Sequence, residues 1–269
     1  MLIFPQLSTG ASVQYPITRQ FSQRSIRSTM DDGTVLVAPD RGANYFRWKV
    51  AFQDLSDLEA KALGDFFTLT QGSLLPFLFL DPTANLLAWS EDFSRASWDI
   101  AGLTFEPGVD DPFAGSRATI LHNPTVAPQT LSQSTQIPGT TQTCFSVYVR
   151  SSAAATVTLS RIAGGETQST SIVASSDWQR IRLTGGALSS DEPSRFALSI
   201  DPGASVEVFG PQVDAQVFPS RYVVSSGPRC SVYTAARFDT RQLEVIATGP
   251  NRNSCVVTLR CNLPIGEQL

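Results

Sequence analysis

The chain has 269 residues with 24 acidic and 20 basic side chains, a formal charge of −4, and its 42% hydrophobic content is too high for a disordered protein. Its single histidine excludes any metal site or mechanism that needs two imidazoles, and no apolar run is long enough to span a membrane. The sequence pI of about 5.0 and the scattered arginines argue against nucleic acid as the main partner. We therefore expect a globular, β-rich protein of one or two domains.

The first 87 residues are predicted to form strands around one helix. Residues 24–30 and 34–38 flank Asp31-Asp32-Gly33, whose Asp-Gly step supplies the positive φ of a tight β-hairpin turn. Apolar and polar side chains alternate along residues 45–52. This period of two predicts a strand whose buried face carries Phe46, Trp48, Val50 and Phe52.

The helix is predicted to begin at Ser56. Ser56 and Glu59 have the spacing of a capping box, and Gly72 is expected to end the helix. Its apolar stripe is predicted to contain Leu55, Leu58, Ala62, Phe66 and Leu69. A buried strand is expected next, over residues 74–80, with Pro76 near its start.

Residues 88–229 have a different sequence pattern. Short stretches of alternating apolar and polar residues, typical of strands, lie between clusters of Gly, Pro, Ser and Asp. The clearest predicted strands lie near residues 145–150, 156–160 and 196–201, and Gly164-Gly165 and Gly185-Gly186 are interpreted as hairpin turns. The segment carries 13 acidic and 9 basic side chains, so it holds the entire negative excess of the chain. We expect a two-sheet antiparallel sandwich, a jelly roll.

The carboxyl-terminal segment returns to the pattern of the first. Residues 238–246 are predicted to form one strand, and a last strand places Cys255, Val257, Leu259, Cys261 and Leu263 on one face. Such a strand pair is too small to form its own core. We therefore predict a discontinuous β domain with one α-helix, made of residues 1–87 and 230–269, with the sandwich of residues 88–229 inserted into it.

All four cysteines are expected to be reduced. Cys255 and Cys261 lie too far apart along one strand to form a disulfide, and Cys144 and Cys230 follow no CxxC spacing. The amino terminus lacks the basic flank and the long apolar run of a secretory signal, which predicts synthesis in the cytoplasm.

The sequence offers little for catalysis. It has no Gly-x-Ser-x-Gly motif, and His122 lies in a turn-like His-Asn-Pro. Three adjacent carboxylate pairs could be considered for glycoside hydrolysis, but each lies beside Gly, Pro or Ser, where Asp typically caps a turn; they are Asp31-Asp32, Asp110-Asp111 and Asp191-Glu192. Asp110 or Asp111 would also suit a structural calcium ion. We expect no enzyme activity, no cofactor and no catalytic or metal-binding residues.

Two sets of short motifs stand out, one in the flanking segments and one in the middle segment. In the flanks they are Phe4-Pro5-Gln6-Leu7-Ser8-Thr9-Gly10-Ala11, Trp48, Leu55-Ser56-Asp57-Leu58-Glu59-Ala60, Phe66-Phe67, Phe77-Leu78-Phe79-Leu80-Asp81-Pro82 and Ala236-Arg237-Phe238-Asp239-Thr240. These resemble the minor or distal tail proteins of siphophages and gene-transfer-agent-like particles. In the middle they are Trp89-Ser90-Glu91-Asp92-Phe93, Trp98, Phe145-Ser146-Val147-Tyr148-Val149-Arg150, Trp178-Gln179-Arg180, Gly210-Pro211-Gln212-Val213 and Pro219-Ser220-Arg221-Tyr222. These resemble the carbohydrate-binding-module-like sandwich of phage tail and fibre proteins.

The resemblance implies a structural protein of a virion tail tip or baseplate, assembled in the host cytoplasm. Its implied partners are other tail proteins (tube, hub and tape measure), further copies of itself in a ring, with a hexamer expected from the symmetry of tail tubes, and host-surface polysaccharide. Neither nucleic acid nor a membrane is expected as a partner. The alternatives are a glycan-binding adhesin and a polysaccharide-degrading tail enzyme; a secreted lectin is disfavoured by the missing signal and the unpaired cysteines.

A glycan site is predicted on the outward face of the strand at residues 145–150. Tyr148 offers a ring and a hydroxyl, Arg150 offers a fork of donors, and the jelly-roll order would bring Gln212 close to them. The tryptophans are instead expected in the core.

Overall fold

The computed structural model describes residues 1–100, 102–227 and 231–262, except for the side chains of residues 41–43. The described residues are mainly β, with one α-helix, as the sequence predicts. The elements are β1 (Ile17–Thr29), β2 (Val35–Leu55), α1 (Asp57–Leu69), β3 (Phe77–Leu80), β4 (Thr104–Val109), β5 (Ala118–His122), β6 (Gln129–Pro138), β7 (Thr143–Arg150), β8 (Ala155–Ala163), β9 (Glu166–Ala174), β10 (Gln179–Gly185), β11 (Pro193–Ile200), β12 (Ser205–Asp214), β13 (Val232–Phe238), β14 (Val245–Gly249) and β15 (Arg252–Asn262).

Contacts divide the chain into two compact units. The first contains residues 1–8, 12–79 and 233–269, and the second contains residues 9–11 and 80–232. The sequence-based boundaries at 88 and 229 lie a few residues inside these limits. That each unit folds independently stays a prediction.

The first unit is built on a sheet with the strand order β1-β2-β15-β13-β3, and β14 also pairs with β15. Its core lies between the sheet and α1, where Phe66 packs on Phe77 and Phe238 with ring centroids 5.2 and 6.0 Å apart. Trp48 is fully buried, as predicted. The strand β15, near the end of the sequence, lies between β2 and β13. It is therefore a central strand of a sheet whose first two strands come from residues 17–55.

The predicted hairpin turn is confirmed. Strands β1 and β2 pair antiparallel up to Thr29 and Val35. Gly33 has a φ of +84°, and Met30 N donates to Thr34 O at 2.8 Å across the turn. The Asp-Gly step therefore closes the hairpin as expected.

The capping box is also confirmed, and Phe66 is buried as predicted, but the predicted helix stripe is wrong at Leu58, Ala62 and Leu69, which are exposed. Ser56 Oγ accepts from Glu59 N at 3.2 Å, and Ser56 N donates to Glu59 Oε2 at 2.9 Å. Leu58 is 80% exposed, whereas the buried helix residues are Ala60, Leu63 and Phe66. The prediction chose the wrong face because it started the stripe from Leu55, which belongs to β2 and not to the helix. Beyond α1, Gly72 adopts a φ of +63° and donates to Phe67 O at 2.9 Å.

Two strand predictions need correction. The strand predicted over residues 74–80 begins only at Phe77. The segment predicted as one strand over residues 238–246 is mostly a loop, because β13 ends at Phe238 and β14 begins at Val245. Thr240 turns the chain between them: its Oγ1 donates to Gln242 O at 2.7 Å and accepts from Gln242 N at 3.2 Å. On β15 the predicted face is confirmed, with Val257, Leu259 and both cysteines buried; Leu263 lies outside the described residues.

The second unit is a jelly roll, as predicted. Its two sheets have the orders β10-β7-β12-β5-β4 and β6-β11-β8-β9. The eight strands from β5 to β12 form four nested pairs. The outermost pair is β5 with β12, followed by β6 with β11, β7 with β10 and, innermost, β8 with β9. This nested antiparallel pairing defines the jelly roll.

The two sheets pack face to face. Phe145 on β7 and Phe196 on β11 meet with ring centroids 5.5 Å apart. Gly164-Gly165 closes the β8–β9 hairpin with both φ angles positive. The interpretation of Gly185-Gly186 as a hairpin turn is wrong, because β10 and β11 belong to different sheets; this pair begins a crossing between the sheets.

A buried arginine ties the loop after β6 to the second sheet. Arg161 is 1% exposed, and its guanidinium donates to the carbonyls of Thr141, Pro138 and Gly139 at 2.7, 2.8 and 3.0 Å. Burial lowers the pKa of Arg161 to about 10, so it stays cationic at neutral pH. Its charge is satisfied by oriented carbonyl dipoles.

The described cysteines are Cys144, Cys255 and Cys261, and all three are free and buried; Cys230 lies outside the described residues. Burial raises the pKa of Cys144 to about 12, so this thiol stays protonated and is a poor nucleophile at neutral pH. No helix among the described residues is long and apolar enough to cross a membrane.

Candidate functional site

The outer face of the five-stranded sheet carries the predicted site residues. On β7, Phe145, Val147 and Val149 face the core, so Ser146, Tyr148 and Arg150 point away from it. The register places Tyr148 beside Arg180 on β10 and Phe209 on β12, and Arg150 beside Glu207. Side chains from three neighbouring strands therefore meet around Tyr148.

Tyr148 lies at the centre of an aromatic cluster. Its ring centroid is 5.5 Å from that of Phe113 and 6.1 Å from that of Phe209, and the guanidinium of Arg180 lies 5.2 Å from its ring. Phe113, in the loop before β5, is 53% exposed. Tyr148 thus presents part of its ring to solvent beside a more exposed aromatic side chain.

Arg150 is largely engaged by neighbours. Its Nε donates to Glu207 Oε2 at 2.7 Å, and its guanidinium lies 4.8 Å from the ring of Trp178. The arginine and the glutamate are each about a quarter exposed. Any ligand contact of Arg150 would compete with this ion pair.

Gln212 is the predicted site residue that the structure places out of reach. It is fully buried, with its Nε2 donating to Asp214 Oδ1 and Ser220 Oγ at 3.0 and 2.9 Å, and its Oε1 accepting from Val223 N at 2.8 Å. The physical reason is that the chain after β12 returns over this part of the sheet. Gln212 fastens that return segment, which we define as residues 215–227.

The return segment is held by a bulge and by hydrogen bonds. The register of β12 shifts at Gly210, whose φ of +57° and missing side chain leave room for the ring of Tyr222. Tyr222 packs on Phe209 with centroids 4.9 Å apart and donates from its hydroxyl to Glu91 Oε1 at 2.9 Å. Arg180 Nη1 donates to Ser220 O at 2.6 Å.

Beside the return segment the surface opens into a pocket of about 280 Å³, lined by Phe113, Arg117, Arg221, Tyr222 and Val224. Sequence reasoning gave none of these residues a role. Phe113 was detectable as an aromatic residue in an Asp-Pro-Phe-Ala-Gly turn, where it has little chance of burial. Arg221 and Tyr222 belong to the Pro219-Ser220-Arg221-Tyr222 motif, but their segment has no periodic pattern that would place their side chains.

Most carboxylates near the pocket are already engaged. Burial alone would raise the pKa of Asp111, but hydrogen bonds from Arg117 and from the amides of Phe113 and Gly115 outweigh it and lower that pKa. Glu91 accepts from Arg117 at 3.2 Å. Burial raises the pKa of Asp214, which bonds to Ser220 and Gln212. Arg221 is exposed and makes no ion pair with any carboxylate in the described part of the chain.

The residues considered for catalysis or metal binding serve local structure. Asp32 accepts from Thr34 N at 2.8 Å in the hairpin turn, Asp111 caps its loop, and Asp191 accepts from Thr140 Oγ1 at 3.0 Å. His122 Nδ1 lies 2.9 Å from Ser205 Oγ at the end of β5. Within the described ranges, no group of three or more His, Cys, Asp or Glu side chains could hold a metal ion.

The tryptophans divide into two groups. Trp48 and Trp98 are buried, as predicted. Trp89 and Trp178 are only half-buried, which corrects their predicted place in the core. Each is covered by a guanidinium, from Arg95 at 4.3 Å and Arg150 at 4.8 Å, so cation–π contact takes the place of full burial.

No protein-family model and no curated protein matches this chain. Among solved structures, the C-terminal family 22 carbohydrate-binding module of Clostridium thermocellum Xyn10B matches with a TM-score of 0.42 and 18% identity, over 53% of this chain and 100% of that one. TmCBM61 in complex with β-1,4-galactotriose matches with 0.38 and 10%, over 49% and 98%. The enzymatically active domain of bacteriophage CBA120 tailspike protein 4 matches with 0.39 and 13%, over 50% and 22%. The structural neighbours thus include carbohydrate-binding modules and a phage tailspike domain.

Proposed function

We propose that this chain is a non-enzymatic structural component of a phage or phage-like tail tip, and that its jelly roll binds glycans of the host surface. The observation that carries the glycan-binding part is the open pocket beside Tyr148. It combines the exposed ring of Phe113 and the half-buried ring of Tyr222 with the guanidinium groups of Arg117 and Arg221. Rings pack on the apolar faces of sugars, and arginines donate to their oxygens in fixed directions.

Glycan binding is tested on an array with the wild-type protein and Phe113→Ala. Removing this ring should weaken binding about tenfold or more, because a central aromatic contact is lost. Phe218→Ala is the matched control, since Phe218 is 63% exposed but does not line the pocket. If the folded wild-type protein binds no glycan on the array, glycan binding is contradicted. Both variants should keep the melting temperature of wild type, so that a change in binding is not due to unfolding.

The first unit supports the assembly part of the proposal. Among the described residues, 24–29 and 35–40 pair only with each other, whereas β15 pairs with β2 from Tyr45 onward. This end of the hairpin exposes Ile26, Met30, Val35, Leu36 and Val37, each by about half. A lone two-stranded ribbon is marginally stable in water, and apolar side chains on it favour burial against a neighbouring subunit.

Assembly is tested by light scattering and negative-stain images, with and without the tail tube and hub proteins. Wild type should form rings or a defined oligomer, and Val37→Lys should abolish it without changing the melting temperature. Val126→Lys, at a residue that is 98% exposed in the jelly roll, is the control and should assemble normally. A strict monomer in every mixture would overturn the assembly role.

Particles that lack the protein separate this proposal from its alternatives. A structural component is required for tail formation, so its loss should stop assembly. Normal particles that lose only host attachment would favour an adhesin. Release of reducing ends from a bound polysaccharide would favour a tail enzyme instead.

A further inference from the structure

The outer face of the five-stranded sheet carries as many basic as acidic side chains, although the segment that contains it has a net negative charge. Between residues 88 and 229 acidic side chains outnumber basic ones by 13 to 9. Yet five of those nine arginines lie on or beside this one face: Arg117, Arg150, Arg180, Arg182 and Arg221. The same face holds five of the thirteen carboxylates, so the negative excess of the segment lies elsewhere; the five are Glu91, Glu106, Asp111, Glu207 and Asp214.

Glu106, on the edge strand β4, is exposed, but the carboxylates nearest the pocket are paired, whereas part of the positive charge is free. Glu207 pairs with Arg150, and Asp111 and Glu91 pair with Arg117. Arg182 and Arg221 are both exposed, and neither pairs with a carboxylate within residues 1–100, 102–227 and 231–262. Of the two arginines that line the pocket, Arg117 is paired and Arg221 is free, so the charge that the pocket offers to a ligand is cationic.

The free guanidinium of Arg221 shares its pocket with two rings. Phe113 and Tyr222 line the same 280 Å³ opening, and Phe113 touches Tyr148 at its edge. The Tyr222 hydroxyl is fixed between Ser90 Oγ and Glu91 Oε1, both at 2.9 Å, so its ring is held in place. A guanidinium fork beside fixed rings matches a sugar that carries an oxyanion, because the fork binds two oxygens at once while the rings cover the sugar face.

We infer that the ligand of this pocket is an acidic polysaccharide, bound through Arg221 at a carboxylate or sulfate group and through Phe113 and Tyr222 at the sugar ring. The inference rests on the proposed glycan binding and names its substrate class. The acidic loops of the same unit repel a polyanion elsewhere, so binding is confined to this face.

The test uses the full-length protein and a panel of polygalacturonate, alginate and hyaluronan, each paired with its carboxyl-reduced form. Dextran sulfate beside neutral dextran distinguishes sulfate from carboxylate. Binding is measured by affinity electrophoresis and calorimetry. Arg221→Gln should weaken binding of the acidic polymer about tenfold or more, the usual effect of losing a charge-assisted hydrogen bond. Carboxyl reduction should do the same for a carboxylate ligand.

Arg241→Gln is the matched control, since it removes an equally exposed guanidinium from the first unit and should leave binding unchanged. Binding of the neutral forms as tightly as the acidic forms would overturn this inference but leave glycan binding intact. Binding of no polysaccharide at all would overturn both. Equal losses in the two arginine variants, or equally tight binding of a DNA duplex, would show non-selective attraction of polyanions and overturn the inference.

Discussion

Gly210 shows how one residue shapes the pocket. Its φ is +57°, and a Cβ placed there would lie 2.6 Å from the ring of Tyr222. The ring cannot swing away freely, because its hydroxyl bonds to Ser90 and Glu91. Gly210→Ala should therefore destabilise the protein by about 2 kcal/mol, combining left-handed strain with a displaced side chain, and should weaken glycan binding.

Urea denaturation followed by circular dichroism measures this effect. Gly186→Ala is the control, since nothing lies within 4 Å of a Cβ at that position, and it should change stability by less than about 0.5 kcal/mol. Equal midpoints for Gly210→Ala and wild type would show that the bulge tolerates a side chain.

A second residue-scale prediction concerns Glu59 at the start of the helix. Hydrogen bonds from Ser8 and Ser56 lower the pKa of Glu59 from 4.5 to about 2. A carboxyl whose pKa is lowered on folding adds stability above its unfolded pKa and loses it as the pH falls through the folded pKa. The capping contribution should therefore vanish between about pH 4.5 and 2.

Glu59→Gln removes the charge and one of the two acceptor oxygens, because its NH2 must take the place of the oxygen that accepts from Ser8 N or of the one that accepts from Ser56 N. It should cost about 1 kcal/mol at pH 7, since the group is partly exposed to solvent, and nothing near pH 2. The measurement is the free energy of unfolding of both proteins from pH 2 to 7. Parallel pH profiles would contradict the assigned role.

Sequence reasoning placed Tyr148 and Arg150 on an outer face of the sheet but did not predict the pocket next to them. Alternation along residues 145–150 is a local property, so Tyr148 and Arg150 could be placed on an outer face. The burial of Gln212 depends on a return segment that crosses strands distant in sequence. No local pattern encodes that crossing, and Gly210-Pro211 is its one visible trace.

At the scale of elements, α1 offers a direct comparison of the predicted and the observed buried face. Leu63 is 2% exposed and lies in the core of the first unit, whereas Leu58 is 80% exposed. Leu63→Ala should lower stability by about 2–5 kcal/mol through lost burial and a residual cavity. Leu58→Ala should have an effect below about 0.5 kcal/mol. Thermal and urea unfolding distinguish them, and a larger loss for Leu58→Ala would restore the sequence-based stripe.

Strands and turns with local chemistry were predictable from the sequence, and connections between sheets were not. Asp-Gly at 32–33 and the capping box at Ser56 specify their structures within a few residues. Gly185-Gly186 resembles a hairpin turn locally, yet β10 and β11 belong to different sheets. Glycine is common both in hairpin turns and in crossings between sheets. Only the pairing of the strands across the whole unit shows which of the two a glycine pair forms.

At the scale of the whole molecule, the ends of the second unit meet. Asp81 N donates to Ser231 O at 3.0 Å, directly after β3 and before β13. Two chain segments joined by a backbone hydrogen bond at the point of insertion need only a short loop to replace everything between them. This geometry allows the jelly roll to have been inserted without altering the strand order of the first unit.

Replacing residues 82–230 with a short Gly/Ser linker should therefore give a soluble protein that melts cooperatively. It retains β15, the strand between β2 and β13, and the core around Trp48, Phe66 and Phe238. A fragment of residues 1–87 alone lacks that central strand, exposes the apolar face of β2 and should aggregate. Circular dichroism, thermal melting and light scattering compare the two proteins. An aggregating linker variant beside a stably folded 1–87 fragment would show that the first segment is a complete domain and that residues 233–262 are not part of its core.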